Sequence, residues 1–134
     1  FLFVFSAALT SAQGNLQFNA VKFYEFSATS GGTPYVEQAI SITVPAGKVW
    51  KIESASATYA TSSANSYTLA STFAGRITLN NKVIFEPTNS YTYPSMFPLW
   101  LPPGTYTLAL KTNTSTAGYT SIGYVSAIEF NVVP

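Results

Sequence analysis

The residues able to do acid–base or metal chemistry are few, and they are all of one kind. The acidic side chains are five glutamates, Glu25, Glu37, Glu53, Glu86 and Glu129, with no aspartate. There is no histidine and no cysteine. The chain therefore lacks the usual general base near neutral pH, the thiolate nucleophile and the commonest transition-metal ligands. Calcium loops of the EF-hand kind need closely spaced Asp and Asn oxygens, which are missing. A two-carboxylate hydrolase would have to draw on Glu25, Glu53 and Glu129, each inside an expected strand. Strand-face charges solvated and paired with lysine account for them as well. No serine sits in a nucleophile elbow, and its His and Asp partners do not exist. The expectation is a non-enzymatic protein with no catalytic residue, no metal and no cofactor.

Aromatic side chains supply the other chemistry. Between Glu86 and Pro98 lies a long irregular stretch with Tyr91, Tyr93, Met96 and Phe97 set among Pro87, Pro94 and Pro98. Tyr91, Tyr93, Phe97 and Trp100 offer flat faces of the kind that stack on sugar rings, with Asn89 or Ser90 to hydrogen-bond. The same residues could equally pack over the open end of a sandwich or bury in a subunit interface. Trp50, inside a strand beside Val49 and Ile52, reads as core.

These residues must be positioned by strands. Val36, Gln38, Ile40, Ile42 and Val44 alternate on one face, apolar apart from Gln38, of a strand ending at Pro45-Ala46-Gly47, and Trp50 and Ile52 point inward in the next. Lys51 and Glu53 share that strand's outer face. The Pro–Gly punctuation returns at Pro102-Pro103-Gly104, where Pro sets φ and Gly supplies positive φ. From Leu16 to Ala28 the apolar phase slips: Leu16 and Phe18 share one parity, Val21 and Phe23 the other, and Phe26 returns to the first. A β-bulge produces such slips. Thr61–Ser66 reads as a polar loop, with short strands over Tyr67–Phe73 and Arg76–Leu79. Asn80-Asn81 between Ile77-Thr78-Leu79 and Lys82-Val83-Ile84-Phe85 is a two-residue hairpin, because Asn tolerates the positive φ of a type I′ turn. Tyr106, Leu108 and Leu110 alternate inward. The last strand, Tyr119 to Val133, carries Ile122, Tyr124, Ile128, Phe130 and Val132 on its main apolar face. No stretch has a useful helical period. Eight or nine strands with frequent turns predict one all-β domain, an antiparallel two-sheet sandwich of jelly-roll type over residues 15–134, with a closed barrel as the alternative.

At 134 residues the chain is long enough to bury a real core. Only 8% of it is charged, against the usual quarter or so, and the formal net charge is +1. So little charge leaves self-association weakly opposed. Scattered basic residues also argue against a nucleic-acid partner. Residues 1–14 stand apart. Phe1 to Leu9 is an apolar run followed by Thr10-Ser11-Ala12-Gln13-Gly14, similar to the core and cleavage site of a secretory leader. It is too short to span a bilayer, which takes about 20 apolar residues. As a strand, Phe1, Phe3, Phe5 and Ala7 fall on one side, and Leu2, Val4 and Ser6 on the other. A strand apolar on both faces suits the middle of a sandwich, its own or a neighbour's.

Three segments together, Ala12-Gln13-Gly14-Asn15-Leu16-Gln17-Phe18-Asn19, Val44-Pro45-Ala46-Gly47-Lys48-Val49-Trp50-Lys51-Ile52-Glu53-Ser54 and Phe97-Pro98-Leu99-Trp100-Leu101-Pro102-Pro103-Gly104-Thr105-Tyr106, resemble small secreted β-sandwich proteins of Bacteroidota. The resemblance implies export and the sandwich fold, with the first segment a cleaved leader, and it transfers no catalytic residue. The favoured expectation is a structural subunit of an extracellular filament or surface assembly. It would polymerise with copies of itself by burying Phe1, Leu2, Phe3, Val4, Phe5 and Leu9 in a neighbour. The alternatives are a carbohydrate-binding or adhesion module using Tyr91, Tyr93, Phe97 and Trp100, and an accessory subunit of an outer-membrane complex.

Overall fold

The computed structural model describes residues 15–31, 36–61, 64–69, 75–86, 97–112 and 117–133. Within them are nine strands: β1 (Asn15–Thr29), β2 (Glu37–Val44), β3 (Lys48–Thr61), β4 (Ala64–Leu69), β5 (Arg76–Leu79), β6 (Lys82–Phe85), β7 (Leu99–Leu101), β8 (Gly104–Lys111) and β9 (Tyr119–Val133). They form two antiparallel sheets. One has the order β1-β9-β3-β4, with β7 also on β3, and the other has the order β2-β8-β5-β6. The four-stranded sheet contributes Ile42, Val44, Ile77, Ile84, Leu108 and Leu110 to the core. Facing them from the five-stranded sheet are Phe26, Ala28, Trp50, Ile52, Ala57, Leu101, Val125 and Ala127.

Both Pro–Gly turns pass from one sheet to the other. Pro45-Ala46-Gly47 carries the chain from β2 to β3, with Lys48 N–H donating to the Pro45 carbonyl at 3.1 Å and Gly47 at φ 72°. Pro102 and Pro103 carry it back, from β7 to β8. Val44 and Gly104 are register partners, so the two corners stand side by side at one end of the sandwich. The Tyr106 hydroxyl donates to the Pro102 carbonyl at 2.8 Å and braces the second corner. Repetition of the motif in the sequence thus corresponds to two neighbouring crossings of the same rim.

The Asn80-Asn81 hairpin forms as its residues dictate, with φ of 47° and 65°. Asn80 also ties the hairpin to β8, its side-chain oxygen accepting from Thr107 N–H and its own N–H donating to the Thr107 carbonyl, each at 2.8 Å. The expected polar loop at 61–66 is shorter than its composition implied. β4 begins at Ala64 and pairs with β3, leaving residues 62 and 63 between them.

The phase slip in β1 is a register shift between Phe18 and Ala20 against β9. Leu16 pairs with Val132 and Phe18 with Phe130; past the shift, Val21 pairs with Ile128 and Phe23 with Ser126. Directly opposed residues in an antiparallel pair share a face. The bulge therefore keeps Leu16, Phe18, Val21 and Phe23 together on one face, and it is the outer one. Phe26 and Ala28 enter the core from the other face with no second slip.

The main apolar face of β9 also turns outward. Its inner residues are Ser121, Gly123, Val125, Ala127 and Glu129, mostly small and all buried. Space explains the choice. A Cβ built on Gly123 would stand 3.3 Å from the Phe26 ring and 3.4 Å from Ile77, so the middle of this strand has no room for a large inward side chain.

A second glycine guards the other end of the sandwich. Gly75 has φ 84°, and a Cβ there would lie 2.4 Å from the Lys111 carbonyl oxygen, a backbone atom that cannot swing aside. Gly75→Ala combines left-handed strain with a steric clash and is expected to cost about 3 kcal/mol. A Tm lower by roughly 10 °C in a thermal melt would show it.

Candidate interaction surface and buried carboxylate

Two features of the five-stranded sheet stand out, one on each face. The inner one is Glu129. It is 4% exposed, at the end of the sheet where β1 begins and β9 finishes. Trp50 Nε1 donates to Glu129 Oε2 at 2.7 Å, the Asn19 side-chain amide donates to Oε1, and Lys22 Nζ lies 3.7 Å from Oε2. Asn19 is the residue left between the two registers of β1, so the bulge is what delivers its amide to the carboxylate. Lys48 donates to the Asn131 side chain, extending the polar group toward the rim. Lys22 also lies 5.7 Å above the Trp50 ring, and Tyr24 stacks on that ring at 6.0 Å.

Burial on its own would raise the Glu129 carboxyl. The hydrogen bonds from Trp50 and Asn19 and the charges of Lys22 and Lys48 outweigh it and hold the group below the ordinary carboxylate range. The Tyr24 phenol is pushed up by burial and by the Glu129 charge, and stays protonated at neutral pH. A carboxylate held ionised by so many donors is a poor proton donor. The other two candidate acids lie elsewhere. Glu25 pairs with outward-facing Tyr124, and exposed Glu53 contacts Lys51 at 2.7 Å on the outer face. The sheet itself separates them from Glu129. Glu37 pairs with Lys111 at 2.9 Å. No cluster of three or more metal-ligating side chains occurs among the described residues.

The outer feature is a face of exposed apolar side chains. Among the described residues the strongly exposed large hydrophobic ones are Leu16, Phe18, Val21, Phe23, Trp100 and Val132, at 44–66% of full exposure. All six point the same way, because Trp100 opposes Lys51, which opposes Ile128, which opposes Val21. Half-buried Phe130, Ile128, Tyr124 and Val49 fill the spaces between them. Phe23 stacks on Tyr124 at 6.0 Å, Trp100 tilts against Phe130 at 5.8 Å, and the Lys51 ammonium lies 5.7 Å above the Trp100 ring. A monomer rarely leaves more than a few hundred Å² of contiguous apolar surface open.

The sequence-expected sites are dispersed. Trp100 stands on this outer face, whereas Phe97 is half-buried against the core. Tyr91 and Tyr93 lie outside the described residues, as do Phe1, Leu2, Phe3, Val4, Phe5 and Leu9. Of this face the sequence singles out only Trp100, as a sugar platform, and it places Ile128, Phe130 and Val132 on the main apolar face of β9. The signal was present in β9, whose other parity includes a glutamate and a glycine, both unusual on a buried strand face unless something specific holds them there.

No protein-family model matches this chain, and neither the curated proteins nor the solved structures yield a match. Among the described residues no helix is long and apolar enough to cross a membrane.

The Glu129 network makes stability depend on acid in a defined direction. Its folded-state pKa is depressed, so its contribution is present above the unfolded value of about 4.3 and is lost as pH falls through the folded value. Urea unfolding across pH 2–7 should show this loss in the wild type and a shallower slope in Glu129→Gln. At neutral pH the substitution should cost about 1–3 kcal/mol, because two donors lose a charged acceptor.

Proposed function

We propose that this protein is a non-enzymatic structural subunit of an extracellular filament or surface assembly, built from copies of itself and joined through residues 1–14. The observation that carries this reading is the position of β1. It is a 15-residue edge strand whose only strand partner among the described residues is β9, and in the sequence it follows the apolar run Phe1–Leu9 after five intervening residues. A long unpaired edge accepts an added strand through main-chain hydrogen bonds, and a strand apolar on both sides is suited to supply one. The low charge leaves close packing of copies unopposed.

The scaffold for this role is a jelly roll in the proposed reading. Strands β1, β9, β3 and β7 face β2, β8, β5 and β6, an order that two Greek keys would generate, with β4 as an added hairpin strand. The resemblance to secreted sandwiches supports export and cell-surface placement.

A carbohydrate-binding module is the second reading, favoured by one observation: Trp100 stands half-exposed on a flat sheet face beside Phe130. Trp100→Ala would then abolish retention on an insoluble polysaccharide.

Negative-stain electron microscopy of the full chain tests the first reading. Regular fibres or sheets are expected from the wild type, and dispersed particles from Phe3→Glu/Phe5→Glu, which puts charge into the donated strand. Wild-type protein that stays dispersed at every concentration would refute it.

A further inference from the structure

The apolar outer face of the five-stranded sheet has no covering layer among the described residues. We infer that it is a second assembly surface, on which two copies of this chain pack sheet face against sheet face. This contact goes beyond the strand-donated filament and does not require residues 1–14.

Size is the first argument. At roughly 150–250 Å² for an aromatic side chain, Phe18, Phe23 and Trp100 alone present on the order of 350 Å². The patch runs roughly 20 Å or a little more along β1 and about 15 Å across β1, β9, β3 and β7. With the aliphatic residues included, its area is on the order of the roughly 800 Å² per partner that a stable pair buries.

Chemistry is the second argument, and it selects the occupant. A glycan is best held by many hydroxyl or amide groups around the rings, and two of the central hydroxyls, Ser54 and Ser126, are already hydrogen-bonded to each other at 2.8 Å. An anionic membrane surface would call for a rim of Lys and Arg, and the cation here is Lys51, already neutralised by Glu53. What remains is apolar, with one neutralised ion pair and Glu25 at its margin opposite Tyr124, and it is complementary to another surface of the same kind. Two copies related by a two-fold axis satisfy this, each face meeting its equivalent. Sheets packed this way sit about 10 Å apart with strands near −30°. The Phe23–Tyr124 and Trp100–Phe130 contacts hold the rings in place before association, which limits the entropy lost on pairing.

Sedimentation velocity of the full chain tests this, with Phe3→Glu/Phe5→Glu used to suppress fibres. That variant is expected to sediment as a concentration-dependent dimer. Adding Phe18→Lys/Phe23→Lys should weaken the dimer by about a hundredfold or more, since each substitution enters a two-fold contact twice. Trp100→Ser, on a different strand, should shift it in the same direction. Because all three residues are exposed, unchanged far-ultraviolet circular dichroism spectra will confirm that the fold survives. Single copies at every concentration would overturn the pairing, as would a dimer indifferent to both sets of substitutions. Dimers absent from the wild type and formed only once Phe3 and Phe5 are replaced would overturn it too, by showing that the chain's own first residues cover the face. Wild-type dimers without fibres would remove the filament reading and leave the pairing intact.

Discussion

β9 is hydrogen-bonded along both of its edges for nearly its whole length, to β1 on one side and β3 on the other. Directly opposed residues share a face, so the face assigned to any one residue of β9 sets that of every residue paired with it in β1 and β3, across the register shifts at Phe18/Ala20 and Ile52/Ser54. Phe26 and Ile77 occupy the space beneath Gly123, which commits the small parity of β9 to the interior. Glu129 is carried inward with it, and Ile128, Phe130 and Val132 are carried outward. The remaining features of this sheet follow from that single constraint.

One consequence is an inverted polarity at the end of the sheet where β1 begins. On its inner side buried Glu129 meets the partly exposed polar residues Asn19, Lys22, Lys48 and Asn131, while Leu16, Phe18, Phe130 and Val132 face out. Burying a lone carboxylate would be prohibitive, and the indole, the amide and the lysine charges make it tolerable. The two halves of the arrangement are coupled through the bulge. It presents Asn19 to the carboxylate and in the same step keeps Leu16 and Phe18 in line with Val21 and Phe23.

The exposed face is costly for a protein that stays alone in solution, and nothing in the described structure relieves that cost. Strand donation and face-to-face packing use different parts of β1, its edge and its outer side. The two proposed contacts are therefore compatible with each other. With a net charge of +1 and few charged residues, little opposes either contact.

Local chemistry was legible in the sequence. Pro45-Ala46-Gly47, Pro102-Pro103-Gly104 and Asn80-Asn81 each specify a turn through backbone preferences that need no distant partner. The alternation of Val36 to Val44, and the inward placement of Trp50, Ile52, Leu108 and Leu110, were equally clear. Period-two patterns reveal strands and bulges, but they cannot say which of two apolar faces meets the core. For β1 the slipping pattern names no inner face, and for β9 the larger apolar set reads as the main one. Packing decided otherwise, because inside and outside depend on what the opposite sheet has already filled. The company of Glu129 was hidden for the same reason: Asn19 and Trp50 lie 110 and 79 residues from it in the chain, and only the register of three paired strands brings them together.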